Sequence, residues 1–159
     1  MRPSTPTRST YDLDIPGTKE TVISALYPMA RAGMVLSFEP HLHSSGRRMC
    51  VEALHPSGYQ ETINCAGYNH IWVNVYFYED DVTPLLPRGT ILKVTAWYDN
   101  TAANPRVIDP RNWKGWGSRS FDDMFFLNSR VVWLTDEEYE EEVAARIARA
   151  GAPTQDNDN

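Results

Sequence analysis

Two histidines stand two residues apart in His41-Leu42-His43. On a strand, alternate side chains share a face, so this spacing sets both imidazoles side by side. Imidazole is the commonest metal ligand, and two nitrogen donors on one rigid strand begin a metal site. The same pair on an edge strand is also readable as two polar surface residues, so a third donor must decide. The remaining candidates are His55, His70, Met124, the two cysteines and the acidic residues. His55 adjoins the turn Pro56-Ser57-Gly58, away from His43. His70 opens an apolar run and could approach the pair as an additional ligand. Met124 lies in Phe121-Asp122-Asp123-Met124-Phe125-Phe126. A methionine among phenylalanines is ordinarily core filling. A thioether beside two imidazoles nevertheless selects copper, above all Cu(I), over zinc.

These donors need a framework, and the chain reads as short strands between turns. The candidates are residues 20–26, 32–43, 49–54, 59–63, 71–78, 90–97 and 125–134, rich in Val, Ile, Tyr, Trp and Phe. The run 71–78 is too apolar for simple alternation and reads as a central strand covered on both faces. Gly and Pro punctuate at Pro16-Gly17, Pro56-Ser57-Gly58 and Pro87-Arg88-Gly89. Strands at this spacing, with no helical period between them, predict an all-β, antiparallel sandwich or jelly roll. Cys50 and Cys65 lie at similar distances from the turn at 56–58, one on each arm of a hairpin. They could face each other closely enough for a disulfide, which would remove them as ligands. Two buried free thiols are the alternative.

One helix is expected, over residues 136–150. Thr135 and Glu138 form a capping-box pair, and Gly151 suits the position after the last turn. Tyr139, Val143 and Ile147 make an apolar stripe, so the helix is amphipathic and should dock on the sandwich. Residues 100–117 form a long loop rich in Asn, Pro, Trp and Gly. Its Trp113 and Trp116 either line a pocket or, by default, pin the loop to the sheet. Residues 1–12 read as a disordered arm, 13–134 as one β-domain, 135–151 as the helical segment and 152–159 as a disordered tail.

Length and charge narrow the function classes. The sequence has 159 residues, 42% of them hydrophobic, which suits one domain with one core. A net charge of −6 disfavours nucleic acid and anionic membranes as partners. No run of about 18 apolar residues exists to insert in a membrane. The N-terminus is rich in Pro, Ser, Thr and Arg without an apolar centre, so it is not a secretory signal.

The ordered motifs resemble a known family. Phe38-Glu39-Pro40-His41-Leu42-His43 is similar to its F-x-P-H-x-H strand. Residues 47–52 with the Pro-Ser-Gly turn resemble its next hairpin, and residues 68–76 its aromatic strand. Pro87-Arg88-Gly89-Thr90, followed by residues 96–105, is similar to its P-x-G-T and Y-D-N-S-x-x-N-P segments. Asp109-Pro110, Trp116-Gly117 and Asp122-Asp123-Met124 echo its D-P, W-G and D-E-M run. Over about residues 13 to 130 the chain thus resembles the C-terminal domain of copper type II, ascorbate-dependent monooxygenases. Those enzymes hydroxylate peptidylglycine or dopamine, and bacterial relatives of the domain come closest in wording.

The resemblance implies a jelly-roll sandwich in which His41, His43 and Met124 hold one copper ion at which oxygen is activated. It departs at two points. Two-domain members carry a second copper on an N-terminal domain, held by three histidines, and this sequence has no such domain. Electrons must then come from a redox partner protein, a missing domain, or an external reductant such as ascorbate. Amidating members also place an Arg two residues before the first ligand His, and an Asn and a Tyr soon after the Met. Glu39, Phe126 and Asn128 stand at those positions here, and Glu39 would repel a substrate carboxylate.

Three functions follow as expectations. The first is a copper monooxygenase domain hydroxylating a C–H bond of a small molecule. The second is a non-catalytic copper or electron-transfer module, with His70 closing the site. The third is a structural subunit of a larger redox assembly. Copper and a disulfide both imply an oxidising compartment, periplasmic or secreted, with the leader trimmed or the domain cut from a longer chain. Cytoplasmic residence is the alternative.

Overall fold

The computed structural model describes residues 12–151. The expected disordered arm, apart from Asp12, and the expected tail at 152–159 lie outside the described residues.

The main sheet has four antiparallel strands: β1 (Glu20–Pro28), β5 (Gly46–Leu54), β6 (Gln60–Gly67) and β9 (Ile91–Asp99), in the order β1-β9-β5-β6. Its register explains its chemistry row by row. Ile23, Ala96 and Met49 align across three strands, as do Ala25, Val94 and Val51. All six are buried and enter the larger core cluster. The row between them is Ser24, Thr95, Cys50 and Cys65. It points to the opposite face, as strand alternation requires. There Ser24 and Thr95 share a hydrogen bond of 3.0 Å, and Cys50 and Cys65 form a disulfide. Gly58, at φ 87°, turns the β5–β6 hairpin.

Smaller antiparallel pairings complete a sandwich-like β fold. β2 (Ala32–Val35) lies between β8 (Leu85–Leu86) and β11 (Val131–Leu134). β3 (Ser37–Phe38) pairs with β7 (Tyr76–Phe77), and β4 (Pro40–His41) pairs with β10 (Phe126–Leu127). Phe38, Leu42 and Phe125 from this layer meet the inner face of the main sheet. Burying Leu42 contributes about 1.5–3 kcal/mol. Gly46 permits it, because a Cβ there would fall 2.4 Å from the Leu42 Cβ.

Four expectations need correction. The run 71–78 is not a covered central strand. The Ile71 amide donates to the Asn69 side chain and the Trp72 amide to the Asn69 carbonyl, which bends the chain into a turn. Only Tyr76–Phe77 finds a partner strand, so Ile71 stays 78% and Trp72 70% exposed. The single strand expected over 32–43 is three short ones, and 125–134 is two. The helix, α1 (Asp136–Ala150), has its capping box. Its stripe docks only in part: Tyr139 and Val143 are half-buried and Ile147 is 68% exposed. Arg146 holds it instead, donating to the Thr83 carbonyl at 2.6 Å. Gly151 follows in a right-handed conformation, φ −85°.

Candidate metal centre

His41 ends β4, and Leu42 and His43 follow it outside any strand, ahead of the turn closed by the Gly46 amide on the His43 carbonyl. Leu42 is drawn into the core between the two histidines. The imidazole centroids of His41 and His43 lie 5.7 Å apart. A metal–nitrogen bond of about 2 Å lets one ion sit between rings at this spacing. His43 is 7% exposed, and its Nδ1 lies 3.1 Å from the Arg119 carbonyl and 3.3 Å from the Asp122 carbonyl. Two carbonyl partners require Nδ1 to carry the proton, which leaves the Nε2 lone pair for a ligand.

Met124 arrives from the other side of the β4–β10 ladder. Phe126 faces His41, Leu127 faces Pro40, and the Asn128 amide donates to the Glu39 carbonyl at 3.0 Å. Met124 lies two residues before Phe126, as His43 lies two after His41. The ladder is interrupted there. The His43 amide donates to the Asp123 carboxylate at 2.8 Å instead of to a backbone carbonyl. Tyr98 donates to the Met124 carbonyl at 2.8 Å, and Tyr68 donates to the Leu42 carbonyl between the histidines.

His70 stands beside the pair, its ring centroid 5.5 Å from that of His43. Its Nδ1 is buried with no hydrogen-bond partner. Burial, then the neighbouring His43, holds both His41 and His70 below the ordinary histidine range. Both are therefore neutral at pH 7, the form that ligates a metal. His55 is elsewhere, 2.8 Å from Glu61 in the hairpin. Cys50 and Cys65 are spent in their disulfide.

Among the described residues no three His, Cys, Asp or Glu side chains form a ready metal-binding group. A metal held by the pair would need a donor of another type, and a thioether is such a donor. Two imidazoles and one thioether fit copper by their chemistry.

What surrounds these donors was only faintly legible in the sequence. Asp123 is fully buried, and Lys114, buried nearby, donates to Ser44 Oγ at 2.7 Å. An acidic residue inside an apolar run was the available signal for Asp123. The long loop is stapled from within: Asn100 donates to the Pro16 and Asn112 carbonyls, and Asn104 to those of Ser44 and Asp99. Its tryptophans do not bury themselves in the sheet. Trp113 and Trp116 line a groove of about 470 Å³ with Ile108, Phe121, Arg119 and Asp122. Trp113 is fixed there by its indole N–H, 2.7 Å from Asp14. The groove lies behind His43, because Arg119 and Asp122 are the residues whose carbonyls hold Nδ1.

No protein-family model matches the chain, and no curated protein matches it in sequence.

Proposed function

We propose that this chain is a mononuclear copper-binding domain, with His41, His43 and Met124 as ligands. The observation that carries the reading is His43. Its Nδ1 is committed to two backbone carbonyls, and its ring lies 5.7 Å from that of His41 and 5.5 Å from that of His70. When bound, copper would supply one-electron redox chemistry and oxygen activation. The chain's own part is to hold the donors. Backbone carbonyls orient His43, the core holds Leu42 between the histidines, and Tyr98 anchors the Met124 peptide. A jelly-roll connectivity and hydroxylation of a C–H bond with an external reductant complete this reading. The Cys50–Cys65 disulfide supports an oxidising, extracytoplasmic setting, and no helix among the described residues is long and apolar enough to cross a membrane.

The test is copper titration of protein purified without added metal or chelator. One copper per chain is expected, and His43→Ala should abolish stoichiometric binding. Absence of stoichiometric copper on the wild-type chain would sink the proposal.

A second reading is favoured by the unpartnered Nδ1 of His70. A fourth donor from His70 would close the coordination sphere and make the domain a copper store or electron-transfer module. Copper EPR before and after azide separates the two. A spectrum changed by azide means an open position and supports catalysis, and an unchanged one supports the closed module. With an open site, ascorbate-dependent hydroxylation is the activity to measure.

A further inference from the structure

We propose that Asp123 is a positioning residue that sets the distance between the His43 and Met124 backbones before any metal arrives. Its importance for copper rests on the copper-site reading, and the brace itself stands on hydrogen bonds alone.

Asp123 is 0% exposed. Its Oδ1 accepts from the His43 amide at 2.8 Å and from the Met124 amide at 3.0 Å. Its Oδ2 accepts from the Ser45 amide at 3.1 Å and from the Ser45 hydroxyl. One carboxylate thus holds both proposed ligand residues and the residue two beyond His43. The two segments are 80 residues apart in sequence. The brace is itself anchored, since the Asp123 amide donates to the Gly115 carbonyl at 3.0 Å and its carbonyl accepts from the Gly117 amide at 3.2 Å.

The residue type is dictated by this geometry. Four donors converge on two oxygens, and an ionised carboxylate accepts at both oxygens without donating. Asparagine is the same size but must present an NH₂ group to one pair of those donors. Hydrogen bonds to a charged acceptor are also about twice as strong as neutral ones. Lys114, buried beside Ser44, supplies an attractive countercharge. The carboxylate therefore replaces the ladder bonds that β4 and β10 stop making at this point. A β-ladder would only pair the two strands, whereas a shared carboxylate fixes the two ligand-bearing peptides to one point.

The experiment has a metal-free arm and a copper arm, both comparing wild type with Asp123→Asn. Without metal, amide hydrogen exchange at His43, Ser45 and Met124 should quicken by at least about tenfold, while Val94 and Thr95 in the main sheet stay unchanged. Unchanged exchange at the three amides would overturn the proposal. With copper, affinity should fall about tenfold or more and the EPR hyperfine pattern should shift. Val94→Ala, a sheet-core variant that loses stability away from the site, should leave that pattern as it is. If Asp123→Asn alters the pattern no more than Val94→Ala, Asp123 has only a structural role and the proposal fails. Ser45→Ala removes one donor and keeps the test decisive should Asp123→Asn not fold. The same changes are then expected, at reduced size, and their absence overturns the proposal. If wild type binds no copper, the copper reading falls and the exchange arm alone decides the brace.

Discussion

Tyr68 places its hydroxyl on the Leu42 carbonyl, the peptide that joins the two histidines. The side chain is buried, and burial pushes the phenol up to about 12. Removing the hydroxyl leaves a buried carbonyl without its partner, at a cost of about 1–3 kcal/mol. Tyr68→Phe should therefore lower the free energy of unfolding by that amount at pH 7, measured by denaturant titration. The pH dependence follows from the sign of the shift. Between pH 10 and about 12 the unfolded chain ionises this tyrosine and the folded chain does not. Stability from the buried neutral phenol is complete below pH 10 and is lost as pH climbs through that window. The variant should show a smaller alkaline loss than wild type. At this scale the sequence was partly legible. Spacing alone paired His41 with His43, since strand alternation is a property of the backbone. The partners of His43 Nδ1 were not legible, because they are carbonyls of residues 119 and 122, and every residue type carries a carbonyl. The role of Asp123 was not legible for a related reason: its four donors are mostly backbone amides, which leave no trace in composition.

The β5–β6 hairpin shows what register can add to a sequence reading. Two cysteines at similar distances from a turn could have faced each other or missed by one residue, and the bulge between Val51 and Glu52 decides it, because the register nearer the turn would have set Cys50 against Asn64. Here Cys50 and Cys65 are direct partners, on the edge of the four-stranded sheet. The bond closes a span of 15 residues, which is worth about 3 kcal/mol in the chain-entropy account. Reduction should lower Tm by about 6–12 °C for a chain of this length. Cys50→Ala with Cys65→Ala should reproduce the loss, followed by circular dichroism with and without reductant. A Tm that does not respond would mean the edge strand is held by its ladder alone. The helix was legible to its first residue because capping is local: Thr135 and Glu138 exchange hydrogen bonds within one turn. The run 71–78 was not legible, for the opposite reason. Its apolar content is real, but strand pairing needs a neighbour, and Asn69 turns the chain before one is met.

Among the described residues, exposed apolar side chains are most concentrated in one short stretch. Acidic residues concentrate in the first turns of α1, whereas Ile71, Trp72, Val73, Val75, Tyr76 and Phe77 crowd one exposed ridge that begins at His70. Patches of this kind exceed the scattered apolar residues normal for a monomer surface. The ridge has a practical consequence for anyone handling the protein. Environment-sensitive dyes brighten wherever apolar surface meets water, and they are read as reporters of lost packing. On this fold they should already bind the native state. A dye-based melt should start from a high baseline that Trp72→Ser lowers, while the circular dichroism midpoint moves little. Bright dye in a cold, well-folded sample would then record apolar surface that the native fold leaves in water, and the part of it lost in Trp72→Ser would be the share held by residues 71–77.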